Sequence, residues 1–409
     1  MRRRNAMFTA VSISVIALAG VWGALSGDFA HAATRSKQVQ PVTPNVKNAA
    51  YTVENGIKVF HLTAEQVRQE VSKGVYANAW GYNGGTPGPT IVVNQGDKVR
   101  IVVTNHLPDS TSVHWHGLIV PNSMDGVPGA EPSPEIQPSK SFTYEFTVKQ
   151  AGTFMYHSHV DVAKQEMMGL DGMFISLPKG GDVVNGQPVN RDYTLLLQEW
   201  DLVNPPQSKP GITATQGMGS NSMTSGMNGG YGEGQVPAGT YDVNPESMSW
   251  NIFTLNGKQF PATASMEVKK GDKVLVRLGN LSMQNHPMHL HGHNFTVVAK
   301  DGIPLPKSAQ YEANTIDVAP GETYDVEFTA DNPGTWVFHC HLPHHTSGPN
   351  GGDGGMLTTF HYQGTPWPSG LNTTSAKTGN MGGMNTGSAD ETTSRASSKG
   401  MHMSNSKSN

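Results

Sequence analysis

Four short stretches of this chain carry histidine at the spacing of metal ligands: HWH at 114–116, HSH at 157–159, HPMHLH at 286–291 and HCH at 339–341. Alternate residues of a strand share a face, so each H-x-H aims two imidazoles at one place. The pairs His114/His116, His157/His159, His289/His291 and His339/His341 therefore offer four imidazoles from each half of the chain. Such a set suits a cluster of soft-to-intermediate metals better than a single ion. The residue between two such histidines points the other way. In the last stretch that residue is Cys340, the only cysteine present. A lone cysteine cannot close an intramolecular disulfide. Its thiolate can instead join His286 and His345 in a separate site. One thiolate, two imidazoles and a distant thioether, for which Met356 is the candidate, make a blue-copper donor set. Zinc also takes His and Cys, but structural zinc uses four ligands, whereas about twelve donors stand here. No nucleophile context surrounds Cys340, so a cysteine protease has no support.

The segments that position these residues are written twice. Residues 96–117 (GDKVRIVVTNHLPDSTSVHWHG) align without a gap on 271–292 (GDKVLVRLGNLSMQNHPMHLHG). Residues 138–159 align likewise on 320–341, and Ser158 falls on Cys340. Runs such as KVRIVV, FTYEFTV, KVLVRL and YDVEFT alternate apolar with polar residues between turn signals, the pattern of half-buried antiparallel strands. The 47 glycines and 27 prolines fit many short strands and turns. An all-β chain of two β-sandwich domains follows, over 51–185 and 186–365. One short helix is expected within LTAEQVRQEVSK, 62–73. A Gly/Met-rich stretch, 204–249, reads as a flexible insert of the second domain, and 366–409 as a disordered Ser/Thr/Met-rich tail.

The beginning, MRRRNAMFTAVSISVIALAG, sets arginines before an apolar stretch, with a small-x-small cleavage site at Ala30–Ala32. Residues 1–32 read as a signal peptide and 33–50 as a linker, so the mature chain is expected outside the cytoplasm, secreted or in the cell envelope. Left uncleaved, the same stretch would serve as a membrane anchor. A net charge of −4 without a basic face argues against nucleic-acid binding.

At these residues the sequence resembles the multicopper oxidases, over roughly 75–180 and 250–362, and most of all the laccase-like bacterial two-domain members. The resemblance implies two cupredoxin-like Greek-key sandwiches and four coppers per chain. His286, Cys340 and His345, with Met356 axial, would hold type 1 copper. His114 and His289 would hold type 2 copper. His116, His157, His159, His291, His339 and His341 would hold the type 3 pair. Single electrons from a phenolic compound or cuprous ion would enter at type 1. They would pass through Cys340 to the trinuclear cluster, where O2 becomes water. Asp125 matches the acidic residue that serves protons there, a catalytic role beside that of Cys340. Two positions depart from the family pattern. Asn350 stands where the axial residue usually falls, and Thr346 where some members carry an acid. By analogy the cluster forms between subunits of a homotrimer. The rival readings are a copper nitrite reductase and a non-catalytic copper-binding or copper-tolerance protein. The first would carry its cysteine in the first domain, where Ser158 stands. Methionines at 218, 223, 227, 381, 384, 401 and 403 could gather cuprous ion, since thioethers favour it.

Overall fold

A computed structural model describes residues 39–179, 183–184, 187–204, 236–348, 352–369 and 371. The expected signal peptide, most of the Gly/Met-rich stretch, Asn350 and nearly all of the tail lie outside these residues.

The alternating runs fold as strands, and the chain is all-β, with two cupredoxin-like sandwiches. In the first, Ile57–Ser72 lies centrally between Val75–Tyr82 and Lys98–Asn105, with Ser141–Thr147 beyond. A three-stranded sheet of Ile91–Asn94, Asp171–Leu177 and Gly152–His157 covers it. Between the sheets lies a core that includes Phe60, Ile101, Trp115, Tyr144, Phe154 and Phe174. The second sandwich repeats the arrangement. Ile252–Leu255, Arg191–Trp200, Lys273–Asn280 and Thr323–Thr329 belong to one sheet; Leu357–Tyr362, Thr335–Cys340, His286–Leu290 and Thr315–Val318 belong to the other. Its core holds Leu195, Phe253, Val276, Met288, Phe338 and Phe360, together with Cys340 and Met356.

Three expectations need correction. Residues 62–73 are not helical: 62–72 belong to the 16-residue strand Ile57–Ser72, and Lys73 starts the turn after it. Phe60, Leu62, Ala64 and Val71 are buried there, and pairing of 64–72 along Val75–Tyr82 overrides the helix-favouring Glu, Gln and Arg composition. A six-residue helix lies instead at Val162–Met167, just after HSH. Secondly, 204–249 is not an insert of the second sandwich throughout. Its residues Gly239–Val243 add a parallel strand to Val75–Tyr82 of the first sandwich. Tyr241 and Val243 are buried there, and Asn78 and Arg68 donate hydrogen bonds to Asp242 and Thr240. Thirdly, residues 39–50 do more than link. Val42 bridges to Tyr193 and Asn48 to Thr90, so the segment touches both sandwiches.

A buried polar seam joins the halves. Arg277 pairs with Asp192 at 2.8 Å and with Asp325 at 3.4 Å. It also donates to Thr153 Oγ1 of the first sandwich at 3.0 Å.

Candidate metal centres

The repeat places histidines at matching points of both sandwiches. His289 and His339 are direct cross-strand partners, and His114 and His157 form the corresponding bridge. Around the first pair the rings of His114, His116, His157 and His159 gather, with His114 centred 5.8, 5.3 and 5.5 Å from the other three. Around the second, His289 lies 4.8, 5.7 and 5.4 Å from His291, His339 and His341. No ring contact or hydrogen bond joins the two quartets among the described residues. The second is the more open: His291 and His341 are exposed.

Hydrogen bonds settle which nitrogen each ring presents. A carbonyl only accepts, so the ring nitrogen facing one must carry hydrogen. His114 Nδ1 donates to Asp125 O at 2.9 Å, His157 Nδ1 to Ser158 O at 2.9 Å, His289 Nδ1 to Asn314 O at 2.8 Å and His339 Nδ1 to Cys340 O at 2.7 Å. In all four Nε2 carries the lone pair; that of His157 faces His116 Nδ1 at 3.3 Å and that of His339 faces His291 Nε2 at 3.1 Å, as two donors converging on one ligand would. Burial holds His157 neutral, its pKa lowered to about 3. Glu166 stands 3.3 Å from its Nδ1 and is pushed up to about 8, again by burial. Asp125 Oδ2 is 3.5 Å from His114 Nδ1, and desolvation together with the nearby Asp125 carboxylate raises the Glu131 pKa. Asp353 is exposed, on the loop before Met356.

The second constellation lies inside the core of the second sandwich. Cys340 Sγ is 3.7 Å from His286 Nδ1 and 3.5 Å from His345 Nδ1, and the two nitrogens are 3.2 Å apart. All three residues are buried, as is Met356. Met356 is tied in by its backbone: its N–H donates to His345 O at 2.8 Å, and its carbonyl accepts from Cys340 N–H at 3.0 Å. Burial pushes the Cys340 thiol up to about 12 and lowers His286 to about 3 and His345 to about 4. Ser282 Oγ meets His286 Nε2 at 2.8 Å and Asn280 Oδ1 at 2.6 Å. The amide oxygen only accepts, so the hydroxyl donates to it and takes the Nε2–H. His286 thus turns its Nδ1 lone pair toward the sulfur. Two imidazole nitrogens and a sulfur converging in a dry pocket fit copper by donor type.

Several contributors had little signature in the sequence. Glu199 reaches within 3.7 Å of His286 Nε2, is pushed up to about 8 by burial, and has one buried oxygen without a hydrogen bond. Phe253 stacks on His345. Both come from strands remote in sequence. Ser282, four residues before His286, could have been found.

Among the described residues, the first sandwich has no counterpart of the buried site. The repeat alignment puts Thr111 opposite His286 and Ser158 opposite Cys340. There Gln165 Oε1 accepts from Ser158 Oγ at 2.5 Å and from Thr111 Oγ1 at 2.8 Å. A hydrogen-bonded trio fills the space.

Multicopper oxidase family profiles match residues 63–180 and 235–351. A solved structure, the blue copper oxidase from Nitrosomonas europaea, is 32% identical, with a TM-score of 0.61 over 78% of this chain and 91% of that one. The multicopper oxidase mco of Staphylococcus aureus is 27% identical over 74% of this chain and 88% of its own. Laccase-3 of Botryotinia fuckeliana is 31% identical over 68% and 55%. A copper nitrite reductase from Nitrosomonas europaea shares the fold at 19% identity. The chain belongs to the multicopper oxidase family and is a copper-dependent oxidoreductase with O2 as its acceptor.

Proposed function

We propose that the chain is a laccase-like oxidase with four coppers, active as a homotrimer. The observation that carries this reading is the contrast between two quartets of imidazoles, one on each sandwich, and one buried His2Cys site. His286, Cys340 and His345, with Met356 alongside, would hold type 1 copper. His114 and His289 would hold type 2 copper, and His116, His157, His159, His291, His339 and His341 the type 3 pair. Bound copper supplies the one-electron chemistry that couples single-electron oxidation of a donor to the four-electron reduction of O2 to water.

The chain's own residues do the rest. Cys340 links the sites covalently, with its sulfur in one and its neighbours His339 and His341 in the other. The dry core around His286 and Cys340 keeps water from the first site. The Asp125 carboxyl beside His114 would deliver protons during O2 reduction. Each quartet supplies half of a cluster, which supports assembly by juxtaposing the first sandwich of one copy with the second of another. An exported location is part of this proposal.

For the donor, a phenol and cuprous ion are the two candidates. Met283 favours cuprous ion: the residue is 45% exposed, and its N–H donates to Glu199, the neighbour of His286. A soft thioether at that place suits a cuprous donor. O2 uptake with each donor, set beside nitrite consumption, tests the class. Four coppers per chain and a blue band are expected, with no nitrite turnover. A monomer carrying its full type 2 and type 3 copper in light scattering would rule out the trimer. Met283→Leu should raise KM for cuprous ion several-fold and leave the phenol KM unchanged.

A further inference from the structure

Phe253 is the closest aromatic neighbour of the buried site. Its ring lies face to face on His345, with centroids 3.8 Å apart and planes at 14°. Parallel contact over one whole face fixes the plane of the imidazole. In that plane Nδ1 points at Cys340 Sγ, 3.5 Å away. Phe253 has little freedom to move: it is 1% exposed and lies in the strand Ile252–Leu255, where it pairs with Glu199. Glu199 in turn lies 3.7 Å from Nε2 of the other imidazole, that of His286. One cross-strand pair thus reaches both imidazoles, with a phenyl on the face of one and a carboxyl at the outer nitrogen of the other.

We infer that Phe253 is a positioning residue for the electron-accepting copper, holding His345 in its ligating plane and keeping water from one face so as to favour the cuprous state. The inference rests on the reading of His286, Cys340 and His345 as the type 1 site. Its physical basis is the charge difference between the two oxidation states. The cupric state carries one more unit of charge and gains more from nearby water. A phenyl face offers a weak quadrupole in place of a mobile dipole. Removing the ring leaves a space next to the imidazole that solvent can enter, which favours the cupric state. The ring also acts by shape: without it, the imidazole can turn about its χ2 torsion, which is broad in histidine.

The test uses the copper-loaded full-length protein and its copper-free form. Phe253→Leu and the near-isosteric Phe253→Met both remove the ring, and Phe253→Tyr keeps it. In redox titration of the blue band, both ring-less variants should shift the one-electron equilibrium toward cupric ion by about tenfold, which is about 59 mV. Phe253→Tyr should stay near wild type. In the copper-free protein with labelled histidine, the His345 ring protons should resonate upfield from the ring current and relax downfield in Phe253→Met. A well-folded Phe253→Met with unchanged potential would overturn the inference. If Leu fails to fold, the Met and Tyr pair still decides it. A wild-type protein loaded with copper but without a blue band would instead sink the type 1 assignment, a separate outcome.

Discussion

Each donor in the buried site is held by a specific neighbour, and removing the neighbour has a predictable cost. Ser282 takes the His286 Nε2–H. Ser282→Ala leaves that buried donor without a partner, at a cost of about 1–3 kcal/mol. Copper affinity at this site should fall about 10–100-fold, since the tautomer is no longer fixed. Denaturant unfolding of the copper-free protein and chelator competition measure the two effects. The thiol gives a second prediction. With its pKa near 12, Cys340 is protonated at neutral pH, whereas His286 and His345 are already neutral. Loading the site must displace the thiol proton, so uptake of one thiophilic metal ion should release about one proton. Cys340→Ser should release none at this site and give no blue band, while its cluster can still fill. Proton release that persists in the serine variant would contradict this.

At the scale of elements, the chemistry was legible wherever it had a period. H-x-H announces a shared site, and the structure brings His114 opposite His157 and His289 opposite His339, with the second histidine of each H-x-H just past the strand or bridge. Cys340 turns inward between His339 and His341 for the same reason. Misreadings came where composition and pairing disagreed: 62–73 has helix-forming residues yet is held extended by pairing of 64–72 along Val75–Tyr82. Contacts made only by folding, such as Glu199 on His286 and Phe253 on His345, carry no local pattern at all. The repeat also allows a test by transplant. Ser158→Cys recreates HCH in the first sandwich, but Thr111 and Gln165 stand where imidazoles would be needed. A second blue copper is therefore not expected in that variant. The same substitution disturbs the buried trio, so unfolding should be easier by about 1–3 kcal/mol.

For the whole molecule, buried acids set the response to pH. Asp171 has an ordinary value of 3.8 and is pushed up to about 7 by burial, against the opposing effect of Gln198 hydrogen bonds. Between those two values the folded chain holds a proton that the unfolded chain has lost. Stability from this group is complete below the lower value and is lost as pH rises through the upper one. Asp171→Asn removes that slope, so the difference in melting temperature between wild type and variant should change steadily from pH 4 to pH 7. Glu166 and Glu199 share the sign, which makes this difference the quantity to follow rather than the absolute curve. A constant difference across the range would count against the buried ionisation.

The separation of the two histidine quartets sets how the enzyme responds to dilution. If each trinuclear cluster is shared between copies, every metal ion that bridges them withdraws free subunits from the assembly equilibrium, by mass action. Chelating that metal would loosen the oligomer, and diluting the oligomer would release the metal. The His286–Cys340–His345 site is complete within one chain and takes no part in that linkage. A sufficiently dilute solution would therefore keep its colour while its oxygen consumption per subunit declined.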